Sequence, residues 1–383
     1  MLLSSFTAVK IIKNYCRKQP LYSSTGGPGR LIVNTPMSRS SGIKAFADLG
    51  SELRLILQGI PLTSAGKKMQ EMIPLVTHGN GWFTNENVRH RLEAIVDSLE
   101  ISILNTWLSK YSIPEKPGNK RVGVIIAGNI PLAGFDDFRC VLLAGHIFIG
   151  KLSSGDKLLL PLVAEILTEI QPEYKSQIQF TEERLPSIDA VIATGSNNSA
   201  RYFDYYFSKY PHIIRKNRNG VAILTGKEDA AELDALGEDI FRYFGLGCRS
   251  VTKLFVPAGY NFNLLFENMM RWGESMMANN KYMNNYEYNK TVYLLSKIAL
   301  LDNNFLLLKE DEGLSSPPGV LFYEYYDSLP ELRKKINAAS ALIQCIVAQP
   351  GIAEGAIPFG QAQQTLPSDY ADNIDSMQFL LSL

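Results

Sequence analysis

Short apolar runs alternate with helix-length stretches through the middle of this 383-residue chain. That alternation limits the fold more than any other feature. RVGVIIAGN (121–129), HIFIGKLS (146–153), IQFTEE (178–183), IDAVIATGS (188–196) and GVAILTG (220–226) are short, and most are apolar throughout. Runs of this kind suit strands buried on both faces, as a parallel sheet requires. Between them 135–145, 156–170 and 199–210 read as helices, so the segment predicts a parallel α/β sheet. A second α/β pattern follows. The stretch 227–247 predicts a helix stopped by glycines, and 252–259 a strand. Helices are expected in 261–277 and 289–301, and strands in 304–310, 320–326 and 341–348. The spacing places a domain break near 226. Ahead of the first sheet, 42–59 predicts an amphipathic helix capped by Ser40 or Ser41, with Phe46, Leu49, Leu53 and Ile56 on one face. Residues 80–108 predict a helix entry and one long helix, with Thr84 as N-cap and Val88, Leu92, Ile95, Leu99 and Ile103 at helical spacing. SIPEKPGNK (112–120) reads as a linker.

Composition narrows the class. The chain is 46% hydrophobic and 20% charged, ordinary for a globular protein. No run of about 18 apolar residues occurs, so no membrane-spanning helix is expected. The 38 basic and 38 acidic residues cancel, which argues against a nucleic-acid binder. The balance is uneven. Residues 1–36 hold Lys10, Lys13, Arg17, Lys18 and Arg30 and no acidic residue, leaving an acidic body. Three readings compete for this Ser-rich leader, with a plain disordered tail beside them: a transit peptide, a secretory signal, disfavoured because no apolar h-region of sufficient length occurs, and a start codon placed too early, with Met37 opening the domain. The last is favoured, and the leader is expected to carry no chemistry.

Cys16, Cys140, Cys248 and Cys345 form no CxxC pair, and the four histidines are scattered. No metal site is expected, and reduced thiols in the cytoplasm fit best. The glycine fingerprints of simple dinucleotide folds and P-loops are missing, as is the nucleophile elbow of common hydrolases.

Four short features remain. In AGNIPLAGF (127–135) Asn129 follows an apolar strand, where ligand sites of parallel sheets collect and where an amide can hold an oxyanion. An Asx-turn is the bland alternative. In IGKLSSGDKLLLP (149–161) Lys151 ends a strand, and Ser153 and Ser154 precede a helix, a setting that suits a phosphate or ribose; a solvated lysine is the alternative. In ATGSNN (193–198) Gly195 and Ser196 lead from a strand into a helix, as ligand-approaching and ordinary turns both do. In FGLGCRSVTKLFVP (244–257) glycines flank Cys248 between a helix and a strand. A thiolate there can act as a nucleophile with its own backbone N–H serving the oxyanion; a buried, inert thiol is the alternative.

Taken in order, these four features resemble the aldehyde dehydrogenase superfamily. More narrowly, they resemble the LuxC-type acyl-CoA reductases and their compact bacterial branch, from about Met37 to the C-terminus. NGWFT (80–84) and PFGQAQQTLPSDYADNIDSMQFL (358–380) are similar to that branch. The resemblance implies two parallel-sheet α/β domains with the active site in the cleft between them. Residues 37–226 would form N-terminal helices and an NAD(P)-binding domain, and 227–350 a catalytic domain. Residues 351–383 would return to the active-site region. It further implies Cys248 as nucleophile, Asn129 as oxyanion holder, and Lys151, Ser153, Gly195 and Ser196 as cofactor-binding residues. The cofactor it implies is NADPH, with NADH as the alternative, and CoA leaves the substrate.

Two departures qualify this. Oxidising members carry a glutamate base shortly after the Gly-Ser turn, but no Glu lies between Glu183 and Glu228. Without a base, hydrolysis of an acyl-cysteine is slow, which favours an acyl-CoA reductase. The glutamate-containing motif for the nicotinamide ribose has no clear counterpart either. The alternatives are an acyl-phosphate (semialdehyde-forming) reductase, another CoA-acylating aldehyde dehydrogenase, and a non-catalytic scaffold for an acyl-activating partner. A homo-oligomer is left open. Arg215, Lys216 and Arg218 are candidates for a 2′-phosphate or for a solvated basic strand end. The Met-rich stretch 268–277 is a candidate acyl-tunnel wall or plain core. Arg249 and Lys253 are the cations nearest Cys248 in sequence.

Overall fold

The described residues fall into two compact units, those up to 216 together with 365–383, and 217–364. The computed structural model describes residues 38–114 and 118–383. The leader, Met37 and part of the linker lie outside these residues.

The first unit opens with helices. Helix α1 (Arg39–Gln58) starts one turn earlier than expected, because Ser38 rather than Ser40 or Ser41 accepts from the Ser41 N–H. It ends at Gly59, whose φ of 87° is left-handed. Phe46, Leu49, Leu53 and Ile56 are buried on its inner face. After α2 (Ser64–Met72), Thr84 caps α3 (Asn85–Ser98) as its position predicts. The long helix breaks at Leu99–Glu100, and α4 (Ile101–Leu108) buries Leu104 rather than Ile103. Then β1 (Arg121–Ile125), α5 (Phe135–Leu143), β2 (Ile147–Lys151), α6 (Leu159–Ile170), β3 (Ile178–Thr181), β4 (Ala190–Thr194), α7 (Asn197–Phe207) and β5 (His212–Arg215) follow. The sheet order is β3-β2-β1-β4-β5, with every pairing parallel. The chain winds outward from β1 to β3, then crosses back to β4. The loops after β1 and β4 therefore diverge, the topology that opens a crevice at the carboxyl ends of strands.

The second unit begins with β6 (Asn219–Ile223), which pairs with later strands and not with the first sheet. The two compact units meet in sequence at Lys216/Asn217. Next come α8 (Ala230–Phe241), β7 (Val251–Pro257), α9 (Phe262–Met269), α10 (Gly273–Ala278), α11 (Asn280–Leu295), β8 (Leu301–Asp302), β9 (Leu307–Glu310), β10 (Val320–Tyr326), α12 (Leu329–Ala338) and β11 (Ile343–Val347). The order is β11-β6-β7-β10-β9-β8, and only the short edge strand β8 runs antiparallel.

The chain then returns to the first unit. Helix α13 (Ser376–Leu381) buries Met377 and Leu380 in that unit's core. His146 Nε2 donates to the Leu380 carbonyl at 2.9 Å, while its Nδ1 accepts from the Lys120 N–H at 3.3 Å. Ser376 Oγ accepts from Arg215 at 2.8 Å. No helix among the described residues is long and apolar enough to cross a membrane.

Candidate active site

In the first unit, the residues singled out from sequence collect at the carboxyl ends of β1, β2 and β4. Asn129 is exposed in the bend that follows β1. Lys151 is the last residue of β2, and its Nζ donates to the carbonyls of Glu182 (3.1 Å) and Glu183 (2.9 Å) just past β3. A lysine has three N–H donors, so one remains for a ligand. Ser153 lies in the following loop, where its Oγ accepts from the Gly155 N–H at 3.1 Å. Helix α6 starts at Leu159, later than expected, because Asp156 holds the intervening turn. Ser196 caps α7, accepting from the Ser199 N–H at 3.3 Å. A Cβ on Gly195 would lie 2.9 Å from Phe203 and 3.0 Å from Ser199, so helix packing alone demands glycine there.

Two residues that sequence reasoning passed over hold this edge together. Asn80, 8% exposed, donates from one amide to the carbonyls of Gly128 (3.2 Å) and Gly155 (3.1 Å). It thereby ties the loop carrying Asn129 to the loop carrying Ser153. The two backbones touch: a Cβ on Gly155 would sit 2.6 Å from the Gly128 oxygen. Asp156, also buried, accepts from the N–H groups of Leu158 and Leu159 and, across the gap, of Leu132. Burial pushes its carboxyl above the usual range, opposed by those N–H groups. Asn80 had one signal in sequence, its place in NGWFT.

Arg215 corrects an expectation. It is neither solvated nor open to a phosphate. It is buried, and its guanidinium meets Asp137 in a two-bonded pair at 2.6 and 2.8 Å. The Asp137 pairing raises its pKa against the opposing effect of burial. It joins β5 to α5 and, through Ser376, to α13. The methionine stretch is divided: Met269 and Met276 are core, whereas Met270 and Met277 are exposed.

In the second unit, Cys248 lies in the turn between α8 and β7. It is the exposed cysteine among the described residues; Cys140 and Cys345 are buried. Burial pushes the Cys345 thiol up to about 12. The turn is entered through three consecutive left-handed residues, Tyr243 (φ 55°), Phe244 (φ 59°) and Gly245 (φ 71°). A left-handed conformation costs a side-chain-bearing residue roughly 1–2 kcal/mol, and both aromatic rings are buried where packing offsets that strain. The turn closes on itself, since the Ser250 N–H donates to the Gly247 carbonyl and Ser250 Oγ accepts from the Gly247 N–H. Gly220 lies beneath it. A Cβ there would be 2.6 Å from the Arg249 oxygen. Arg249 Nε donates to the Ala362 carbonyl at 2.5 Å. Lys253 is fully buried in β7, paired with Glu324 at 3.1 Å. Burial lowers its pKa against that pairing, and its charge is committed away from the thiol. Glu228, the first glutamate after the gap, spends both oxygens on the turn at Thr225 and Gly226.

No protein-family model matches the chain, and no curated protein matches it. Solved structures do. A Burkholderia cenocepacia protein provisionally called an aldehyde dehydrogenase is 13% identical, with a TM-score of 0.60 over 82% of this chain and 76% of that one. An NAD-dependent aldehyde dehydrogenase from Sinorhizobium meliloti is 13% identical, with a TM-score of 0.56 over 82% and 70%. An indole-3-acetaldehyde dehydrogenase complexed with NAD+ is 12% identical, with a TM-score of 0.56 over 95% and 80%. The chain has the aldehyde-dehydrogenase-like fold, and at these identities the likeness is one of fold.

Proposed function

We propose that this protein is an acyl-CoA reductase that forms an aldehyde through an acyl-cysteine at Cys248. The observation that carries the reading is the exposure of Cys248 in a strained, glycine-flanked turn while Cys140 and Cys345 are buried. The thiolate attacks the thioester carbonyl, the carbon–sulfur bond to CoA breaks, and CoA leaves as a thiolate that takes up a proton. The Cys248 backbone N–H donates to the oxyanion, and the family resemblance assigns Asn129 the role of second donor. Lys151, Ser153, Gly195 and Ser196 would hold a nicotinamide cofactor, NADPH by the family resemblance. The remaining N–H of Lys151 and the divergent strand-end loops fit such a group. When bound, a nicotinamide would supply the hydride to the acyl-cysteine carbonyl carbon. Collapse of that Cys248 thiohemiacetal would break the carbon–sulfur bond, regenerate the Cys248 thiolate and release the aldehyde. Residues 184–227 contain no glutamate and Glu228 is spent on a turn, so the base that the resemblance places after the Gly-Ser turn has no counterpart there, which favours reduction over base-assisted hydrolysis.

The test is intact mass after incubation with acyl-CoAs of several lengths, in parallel with an acyl phosphate. An acyl adduct from the thioester that disappears in Cys248→Ala supports the reading. Labelling by the acyl phosphate alone would assign the acyl-phosphate chemistry instead. Full NADPH oxidation by Cys248→Ala would overturn both.

A further inference from the structure

The Cys248 turn is gripped from outside by a segment more than a hundred residues downstream, and a single buried carboxylate governs that grip. Asp239 lies in the last turn of α8 and is 0% exposed. Its Oδ2 accepts from the Gly360 N–H at 2.6 Å and its Oδ1 from the Ala362 N–H at 2.9 Å. Ala362 in turn accepts from Nε of Arg249, the residue that follows Cys248 in the chain. Gln363 adds a long contact from Nε2 to Ser250 Oγ at 3.5 Å. Gly360 is left-handed, with φ 79°, and its missing Cβ would be 3.2 Å from Ala235 on α8. The segment therefore lies flat on the helix that delivers the turn.

We propose that Asp239 is the positioning residue of the Cys248 turn, holding 360–362 so that Ala362 fixes the Arg249 side chain and with it the backbone that follows Cys248. The inference rests on Cys248 being the reactive thiol proposed above. Asp239 touches no reacting atom; it acts through the backbone it holds. An ionised carboxylate accepts at both oxygens, whereas a protonated one surrenders part of that capacity. Burial pushes the Asp239 carboxyl up to about 7; the two backbone N–H groups and Arg249 pull it down, and Glu238 raises it. The charged and titratable groups around it are few. Glu238 on its own helix is paired with Arg242 and Arg271. Arg249 faces it from the turn, and the Cys345 thiol faces it from β11. The grip accordingly tightens as pH rises through about 7.

The sign for stability is opposite. A carboxyl raised above its unfolded value of 3.8 contributes stability that is full below that value. That stability is lost as pH rises through about 7. Ionisation thus orders the turn at the expense of the fold around it.

The experiment is the rate of Cys248 alkylation by iodoacetamide between pH 5.5 and 9, followed by peptide mass, which needs neither substrate nor cofactor. The wild-type profile is expected to show an inflection near 7 in addition to that of the thiol. Asp239→Asn is expected to remove this inflection, to change the rate severalfold, and to raise thermal stability above pH 7. Arg249→Lys keeps the charge but loses the Nε contact, so it is expected to remove the same inflection. The double variant is expected to go no further than either single one, because both cut the same chain of contacts. An inflection that persists in Asp239→Asn, or additive effects in the double variant, would overturn the inference. Should Asp239→Asn fail to fold, Arg249→Lys decides alone: a wild-type profile sinks the inference. Because alkylation does not depend on acyl transfer, a failed acyl-adduct experiment and a failed positioning experiment remain separate results.

Discussion

The strand ends of the first unit and the Cys248 turn of the second solve the same problem in different ways. Each must hold an exposed side chain in place on irregular backbone. At the strand ends the solution follows from topology. Parallel strands finish together, their loops diverge at the crossover, and Asn80 with two close-packed glycines pins the loops to one another. Asn80 is neutral and its bonds are indifferent to pH. At the Cys248 turn the backbone is forced through left-handed aromatic residues, and the hold comes from Asp239 acting on a distant segment. The first arrangement is inherited from the sheet. The second is assembled locally from strain and a titratable group.

The largest test of this contrast is Cys248→Ala. On the proposed reading, reduction of an acyl-CoA falls by on the order of 10³-fold or more, with the acyl adduct lost and cofactor binding retained. A smaller loss would place the chemistry elsewhere. Next comes Asn80→Ala, which leaves the Gly128 and Gly155 carbonyls without their shared donor. Its expected cost is about 1–3 kcal/mol, read as a lower urea midpoint. Faster amide exchange over 126–134 and 152–158 should accompany it, and unchanged exchange there would remove Asn80 from its bridging role. Ser196→Ala deletes the α7 cap and should cost about 1 kcal/mol, measured by thermal denaturation. The smallest effect is a pH response at α13. Burial lowers the His146 pKa below 6.5, with the Leu380 hydrogen bond opposing. A base held neutral this way contributes stability present above about 6.5 and lost as pH falls through its lowered value. Protection factors over 376–383, exchange corrected for the intrinsic pH dependence, should therefore fall on acidification and fall less in His146→Gln, whereas Asp239 loosens its own segment by protonation near 7.

Much of the sheet framework was legible because its signal is local. Apolar runs of strand length and the helices between them name β1, β2, β4 and β7 without help from the rest of the chain. Cys248 and Asn129 stood out for the same reason, as residues at the junctions of such runs. What escaped were contacts made across long stretches of sequence. Strand β6 looks like a member of the first sheet until its partners in β7 and β11 are known. Arg215 sits in a basic run and reads as solvated. Its burial depends on Asp137 and Ser376, neither of which marks itself as a partner. Asp239 resembles any acidic residue on an amphipathic helix. Only its two backbone donors, at Gly360 and Ala362, reveal what it does.

The return of the chain to its first unit also sets an order of assembly. As the polypeptide emerges from the ribosome, the first sheet can form early, but α13 is translated only after the whole of the second unit. At ordinary elongation rates that interval is on the order of ten seconds. During it the Arg215 guanidinium lacks its Ser376 partner and the Leu380 site beside His146 is empty. The first unit is thus the first to begin folding and the last to be finished.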